Sequence, residues 1–462
     1  MAELREDQKQ VAEKLIELLR THPAVGLQAP TGWGKSFVAS FIVKQLGGKW
    51  LWLGSLISGL ISASRALQGL GVKFIVTAGK EKMCLMNYQY IDFILRGVCS
   101  RCRYNRAIHG MVKLDAHGYH DYTELKELGE ETGVCPYYLQ EAVARNLLNS
   151  NNDAVVLANY NRANKFLRWV NGVIIDEVHS LTVPRIVELP RKTIEVLFSR
   201  LGLDIDARNA EVVRDVLAEN MIQIAMDDEA NEAINLNDII EYVQSKLVYY
   251  DQDKDALTGI QISGIEQLQN KRVLMMSATL PPSILSSMPS IRVQPSTIIK
   301  VKIPRDAVAT TLENLRRHRE RIAKILKKYL DNEPTVIFST SSKDVTSLIE
   351  DGVTYEDEIS VRDVCEKKPP ILALNFYGRF SEGVRLTCYR RAVLLTVPLL
   401  PYDVMQRLTK YVNETDLITM KTVQAIGRIL PQQEPDIVML DKRYWQYCQY
   451  LQQYGIQCVD AG

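Results

Sequence analysis

The sequence has no long hydrophobic run, no strong excess of either charge, no internal repeat and no low-complexity tract. Without a stretch of about 18 consecutive apolar residues, a membrane-spanning helix is not expected. The opening MAELREDQKQ is charged and has no apolar core, so no secretory leader is expected there. Lys plus Arg number 56 against 55 Asp plus Glu, a net charge of +1. That balance excludes a generally basic coat, so any nucleic-acid contact must use a local patch. RRHRERIAKILKK at 316–328 is such a patch, although its simplest role is a solvated helix face. A cytoplasmic, intracellular chain is expected. Its eight cysteines are then expected as metal ligands or buried thiols rather than disulfides.

What is present is an ordinary soluble composition, with 46% hydrophobic and 24% charged residues, enough for several buried cores. A length of 462 residues suits about three domains of roughly 150 residues each. Short apolar runs alternate with helical spacing in two zones. The first holds VGLQA (25–29), KWLWLG (49–54), KFIVTA (73–78), AVVLAN (154–159), GVIID (172–176) and RVLMMSAT (272–279). The second holds TVIFST (335–340), ILALNF (371–376), AVLLTV (392–397) and DIVML (436–440). Short buried strands separated by helices predict an α/β architecture with two parallel sheets. Two segments break this rhythm. Residues 80–150 gather cysteines and short polar pieces. Residues 183–270 contain RNAEVVRDVLAENMIQIA and NLNDIIEYVQSKLVYY, whose helical spacing predicts an all-helical subdomain.

After the first apolar run the turn reads Ala29-Pro30-Thr31-Gly32-Trp33-Gly34-Lys35-Ser36. A phosphate loop ordinarily begins with glycine where Ala29 stands, but the closing Gly34-Lys35-Ser36 is intact. Gly32 and Gly34 allow backbone N–H groups to converge on phosphate oxygens, and the next helix aims its positive end at them. Lys35 would reach the β- and γ-phosphates, Ser36 would hold Mg²⁺, and Trp33 lies at the crest of the loop. GVIIDEVHSL places Asp176 and Glu177 at the end of an apolar strand, the edge where parallel sheets hold ligands. Asp176 would hold Mg²⁺ through water, and Glu177 would orient and deprotonate an attacking water. Between these two motifs, RGVCSRCRYNR (96–106) sets Cys99 and Cys102 among Arg96, Arg101, Arg103 and Arg106. With Cys84 and Cys135 the spacing is C-x14-C-x2-C-x32-C. Four thiolates at this spacing suit an iron–sulfur cluster or a tetrahedral zinc site equally.

Asp-Glu-x-His combined with Ala-x-x-Gly-x-Gly-Lys-Ser resembles superfamily 2 helicases. Further pieces follow in the order of that superfamily: MSATL (276–280), FYGRFSEGV (376–384, with Ser381-Glu382-Gly383) and QAIGRIL (424–430). REDQ near the start, with Arg5 and Gln8, matches an adenine-reading element as well as it matches a helix-start charge cluster. The four-cysteine insertion, preceded by AGKEKMC and closed by VCPYY, is similar to that of the XPD/DinG iron–sulfur DNA helicases, in an archaeal-type, short-arch form. The resemblance implies two RecA-like parallel-sheet motor domains with an inserted iron–sulfur domain and a small helical arch. The implied boundaries are 1–80, 151–182 and 271–290 for the first motor, 81–150 for the iron–sulfur domain, 183–270 for the arch and 291–462 for the second motor.

It implies a [4Fe–4S] cluster on Cys84, Cys99, Cys102 and Cys135, with ATP and Mg²⁺ between the motors. ATP contacts would come from Gln8, Gly32, Trp33, Gly34, Lys35 and Ser36. Catalysis would use Lys35, Asp176, Glu177, Gln424 and Arg428. A monomer would move 5′ to 3′ on single-stranded DNA and open forked duplex DNA. Arg65, Arg101, Arg103, Tyr104, Arg106 and Tyr160 would touch the strand, with Arg162 and Arg168 beside them.

The sequence departs from the family at several points. Gly54, Leu56 and Gly59 stand where the family has polar DNA-contacting residues. Arg385 replaces an acidic residue in the fifth motif, and Pro431 replaces the second arginine of the sixth. These departures leave open a degenerate helicase that clamps single-stranded DNA or recruits a partner with little unwinding. In either form Lys35→Ala is expected to lower ATP hydrolysis by at least about 100-fold, because it removes the main cation at the developing charge. Strand binding should survive, and steady-state phosphate release with parallel binding titrations checks both.

Overall fold

The computed structural model describes the chain except residues 1–2, 31, 56, 89–92, 94–97, 105–118, 151, 183, 227–235, 253–254, 262–267, 269, 295–297, 331–332, 350, 361–362, 379–385, 401, 430–434 and 462. The chain forms two units, residues 1–278 with 288–291 and residues 279–287 with 292–462. Among the described residues no helix is long and apolar enough to cross a membrane.

The first unit contains an eight-stranded sheet. Its order is Ser290–Arg292, Ala24–Gln28, Arg272–Ser277, Gly172–Asp176, Lys49–Gly54, Ala154–Asn159, Lys73–Val76 and Tyr119–His120. From Ala24–Gln28 onward each neighbouring pair runs parallel. The inner strands read as unbroken apolar runs because both faces are covered, and Trp50, Leu51, Trp52, Val155, Val156, Ile174 and Ile175 are buried. Register brings the chemistry to one edge. Gln28 pairs with Ser277, and Asp176 pairs with Met276, one residue earlier on the same strand. The turn after Gln28, the acidic pair after Ile175 and the Ser-Ala-Thr segment therefore leave the sheet side by side.

The second unit contains a seven-stranded parallel sheet. Its order is Val353–Tyr355, Ile371–Asn375, Thr335–Ser339, Arg391–Leu394, Asp436–Met439, Ile299–Pro304 and Ile456–Ala461. Ile337, Val393 and Val438 from its centre pack with Ile322, Ile325 and Leu326 of the helix Arg319–Lys327. That helix carries most of the basic run at 316–328, so its apolar stripe serves the core while the cations face outward. All ten apolar runs of the sequence become strands. Ile299–Pro304 and Ile456–Ala461 give no such run. They lie at one side of the sheet, and each has exposed positions that interrupt any apolar run.

Two expectations are corrected. Residues 183–270 are not all-helical: Arg185–Pro190, Ala256–Gln261 and Leu247–Asp251 form a three-stranded antiparallel sheet. Helices Arg191–Arg200, Ala210–Glu219 and Leu236–Val243 pack with it around Phe198, Tyr242 and Leu257. The helical spacing of the second window ends at Val243, and its LVYY tail supplies β-branched and aromatic residues suited to a pleated surface. The second correction concerns disulfides. Cys365 pairs with Cys388 and Cys448 with Cys458, with Cα separations of 5.5 and 5.9 Å. Sequence spacing gives no hint of these pairings because they depend on how short helices and strands pack. Cys84, Cys99, Cys102 and Cys135 remain free thiols.

Gly172 illustrates how tightly the first sheet is packed. A Cβ there would lie 2.4 Å from the Trp50 ring, which is itself fixed by its indole N–H donating to Gly47 O at 2.8 Å. Gly172→Ala is expected to destabilise the first unit by about 1–3 kcal/mol through overpacking, read as a lowered midpoint in urea unfolding.

Candidate functional site

The turn after the first strand is built around a left-handed glycine. Gly34 has φ 103°, and a Cβ on it would meet Gln8 Nε2 at 2.5 Å. Only glycine suits both its conformation and the space available. The helix Lys35–Leu46 starts immediately after it, so its unpaired N–H groups and positive dipole end face the turn. Lys35 is buried, and its ammonium donates to Ala29 O at 3.0 Å and Pro30 O at 3.4 Å. Burial pushes its pKa down, while the charges of Glu177 and Asp176 oppose that shift. Gly32, Gly34, Lys35, Ser36, Asp176 and Glu177 line one cleft of about 520 Å³, together with Gly54 and Gly59. A cation, helix-end amides and two carboxylates facing one space are the groups needed to hold a polyphosphate and its divalent ion.

The N-terminal helix braces the loop. Gln8 Nε2 donates to Trp33 O at 2.6 Å and Arg5 Nη2 to the same oxygen at 3.1 Å. Gln8 Oε1 accepts from Arg5 N at 3.0 Å. Both ends of the Gln8 amide are therefore engaged with the chain itself. The Trp33 indole donates to Asp7 Oδ2 at 2.9 Å. This tie from the loop crest to the N-terminal helix is not evident in the sequence.

The acidic pair has its own support. Burial first, then the Glu177 charge, raises the Asp176 pKa to about 7, against the lowering effect of Lys35. Glu177 lies at φ 55°, an uncommon conformation for a residue with a side chain. Ser277 Oγ donates to Glu177 Oε2 at 3.0 Å. His179 Nδ1 lies 3.3 Å from Glu177 Oε2 and 3.0 Å from Ser277 Oγ. The Ser-Ala-Thr segment thus contacts the acidic pair directly, which follows from the parallel register of their strands. Tyr160, expected on the DNA strand, turns its hydroxyl inward and donates it to Asp176 O and Glu177 O.

Cys84, Cys99, Cys102 and Cys135 all line one cavity with Lys80, Tyr104, Pro136 and Tyr137. Burial pushes the Cys99 and Cys135 thiols up, and Lys80 opposes this at Cys99. Among the described residues no three Cys, His, Asp or Glu side chains form a group that could hold a metal ion. Arg101 is exposed. The Arg103 guanidinium lies 4.8 Å from the Tyr104 ring centroid and donates to its hydroxyl at 2.9 Å. Arg106 lies outside the described residues. Arg65 is exposed on the helix Ile57–Gly69, and Arg168 is exposed with its guanidinium 3.9 Å from the Trp169 ring centroid. Arg162 is a correction: it is 6% exposed and donates to Ala78 O, so it offers no surface to a strand.

In the second unit, Gln424 and Arg428 lie one turn apart on the helix Glu414–Ile429. Arg428 is buried, with its guanidinium 5.5 Å from the Phe338 ring centroid. The fifth-motif residues Ser381, Glu382, Gly383 and Arg385, and Pro431, lie outside the described residues.

No known family model and no curated protein matches the sequence. Among solved structures, an XPD helicase covers 100% of both chains at a TM-score of 0.69 and 18% identity. XPD in its apo form has a TM-score of 0.59 at 16% identity, over 98% of this chain and 100% of that one. S. tokodaii Xpd4 has a TM-score of 0.52 at 18% identity, over 98% of this chain and 100% of that one. At such identities the likeness establishes a shared fold.

The raised pKa of Asp176 has a consequence for stability. In the folded, empty protein the carboxyl holds its proton up to about pH 7, whereas an unfolded Asp releases it near its ordinary value of 3.8. The folded state binds more protons between those values, so stability is present at the acid end and falls as pH rises toward 7. Asp176→Asn is expected to flatten that fall. At pH 8, without nucleotide or Mg²⁺, it should stabilise the protein by on the order of 1–3 kcal/mol. Denaturant unfolding from pH 5 to 8 checks it.

Proposed function

We propose that this chain is a superfamily 2 motor that hydrolyses ATP with Mg²⁺ and moves along single-stranded DNA as a DNA helicase. The observation that carries the reading is the single cleft shared by the buried Lys35 ammonium, the Lys35–Leu46 helix start and the Asp176–Glu177 pair. In this reading Lys35 leaves the carbonyls of Ala29 and Pro30 for the β- and γ-phosphates, exchanging two hydrogen bonds for a stronger ionic contact. Ser36 and Asp176 hold the Mg²⁺. Glu177, with one carboxylate oxygen already held by Ser277, accepts the proton of the attacking water. By the same resemblance Gln424 and Arg428, one turn apart on the helix Glu414–Ile429, are the catalytic candidates of the second unit. Single-stranded and forked DNA, 5′ to 3′ movement and monomeric action come with the resemblance to XPD/DinG helicases. The shared fold with XPD structures supports the same reading. Of the arginines the resemblance places at the strand, Arg65, Arg101, Arg103 and Arg168 are exposed among the described residues.

The cysteine-lined cavity supports a [4Fe–4S] site within this reading. Its lining has four free thiols and no His, Asp or Glu, a donor set that iron–sulfur ligation can use. A bound cluster would act as a covalent staple across residues 84–135. Burial raises the Cys99 thiol, and the Lys80 charge opposes that shift. One further observation favours the clamp alternative: Gly54 and Gly59, at positions where the resemblance implies polar DNA contacts, carry no side chain to make them. Strand displacement on 5′- and 3′-tailed duplexes, with the protein kept from air, separates the two. Unwinding of the 5′-tailed duplex supports the helicase. DNA-stimulated phosphate release without displacement supports the clamp, and release stimulated only by RNA overturns both.

The cluster assignment has a separate test. Protein purified without oxygen should be yellow-brown with about four irons per chain. Cys102→Ser should remove the colour and speed amide exchange within residues 84–135 while the sheet of the first unit persists. Colourless protein with stoichiometric zinc would make the site a zinc module.

A further inference from the structure

Beside the acidic pair lies Tyr160, expected on the strand but turned inward. The Tyr160 hydroxyl donates to the carbonyl of Asp176 and lies 3.3 Å from that of Glu177. These are the two peptide units that carry the carboxylates. Glu177 has φ 55°, so the chain leaves the strand Gly172–Asp176 through a left-handed residue that has a Cβ. Such a conformation costs free energy and persists only where its surroundings hold it. Ser277 and His179 hold the Glu177 side chain. The Tyr160 hydroxyl reaches the carbonyls of this turn from another element.

Tyr160 is itself firmly placed. It opens the short 3-10 segment Tyr160–Lys165, whose first turn is capped by Asn159 accepting from Asn161 N at 3.2 Å. The far end of that segment is locked by charge. Arg162 donates to Ala78 O, lies 3.6 Å from Glu141 Oε1 and sits over the Tyr137 ring at 5.0 Å. Lys165 donates to the same Glu141 and to the Tyr137 hydroxyl. Glu141 and Tyr137 belong to the helix Pro136–Asn149, which Gln140 ties to Ala78 through both its N–H and its C=O. The phenol is therefore aimed from a rigid base. Burial and the neighbouring carboxylates push its pKa upward, so the proton stays on the hydroxyl as donor.

We propose that Tyr160 is a positioning residue for the hydrolytic step: its hydroxyl fixes the Asp176–Glu177 peptide units so that Glu177 is held at the water it activates. This rests on the ATPase reading above. The hydroxyl contacts the Asp176 and Glu177 carbonyls, so its effect passes through the backbone of the turn. A misplaced general base costs rate and leaves the binding of the phosphates, through Lys35 and the loop amides, intact.

Tyr160→Phe keeps the ring and removes only the hydrogen bonds. Expected are an approximately tenfold fall in kcat at saturating single-stranded DNA, unchanged affinity for a fluorescent non-hydrolysable ATP analogue within about twofold, and faster amide exchange across residues 176–179. The exchange experiment, run without nucleotide, reads the turn independently of turnover. Wild-type kcat in Tyr160→Phe, or unchanged exchange at 176–179, overturns the proposal. So does a loss of analogue affinity that matches the loss of kcat, because that marks a general loosening of the site. Lys35→Ala serves as the control. If the wild type binds and hydrolyses ATP and Lys35→Ala does not, the ATPase reading stands whatever Tyr160→Phe does. If wild type shows no turnover, the ATPase reading fails and this proposal fails with it.

Discussion

The first unit is organised around one buried ammonium. A lysine side chain withdrawn from water loses several kcal/mol of hydration unless oxygens replace it. For Lys35 those oxygens are the carbonyls of Ala29 and Pro30, with the charges of Asp176 and Glu177 nearby. Each requirement constrains something larger. The carbonyls are available only because the chain turns back through Gly34 in a left-handed conformation. The carboxylates are near only because two parallel strands end level with the turn. A sheet slipped by one residue would present Ile175 and Met276 at that edge in place of Asp176 and Ser277, and the charge would be left uncompensated.

Around this centre the chain adds braces that do not themselves meet a ligand. The N-terminal helix holds the crest of the turn through Gln8, Arg5 and Asp7. The Tyr160 segment holds the acidic turn from the other side. Ser277 and His179 hold the Glu177 carboxylate. A site that must place a few charges to within a fraction of an ångström needs such support, because long side chains alone are loose. The Gln8 amide is spent on this task at both ends, which explains its burial at the start of an otherwise exposed helix turn.

The second unit meets a different constraint. Its helix Glu414–Ile429 is buried along most of its length, and polar residues such as Asp416, Thr419, Lys421 and Arg428 are buried with it. Asp416 is satisfied by the Ser283 N–H and hydroxyl, and the Lys421 ammonium lies 5.0 Å from the Tyr377 ring centroid. Two disulfides tie the helix Val364–Lys367 to Cys388, and the helix Cys448–Leu451 to the strand Ile456–Ala461. Their closed loops are short, so the entropy they remove from the unfolded chain is modest, and they act locally on the pieces they join.

By itself the sequence determined two parallel sheets, the glycine-lysine-serine turn, the acidic pair at a strand end and a set of four cysteines apart from the rest. These are legible because each rests on local chemistry: a strand buried on both faces must be continuously apolar, and a phosphate-binding turn needs glycines beside a lysine. Only the tertiary structure decided what depends on contacts between distant segments. Tyr160 and Asp176 are sixteen residues apart and share no periodicity, so nothing local marks the phenol as a brace. Arg162 reads as an exposed cation until the fold buries it against Ala78 and Glu141. Residues 183–270 read as helices because amphipathic helices have a long, regular period, whereas three short strands must find one another across sixty residues before they exist as a sheet. The pairing of Cys365 with Cys388 and of Cys448 with Cys458 was decided in the same way, because Cα atoms come within bonding range only after the helices, strand and turn carrying them have packed.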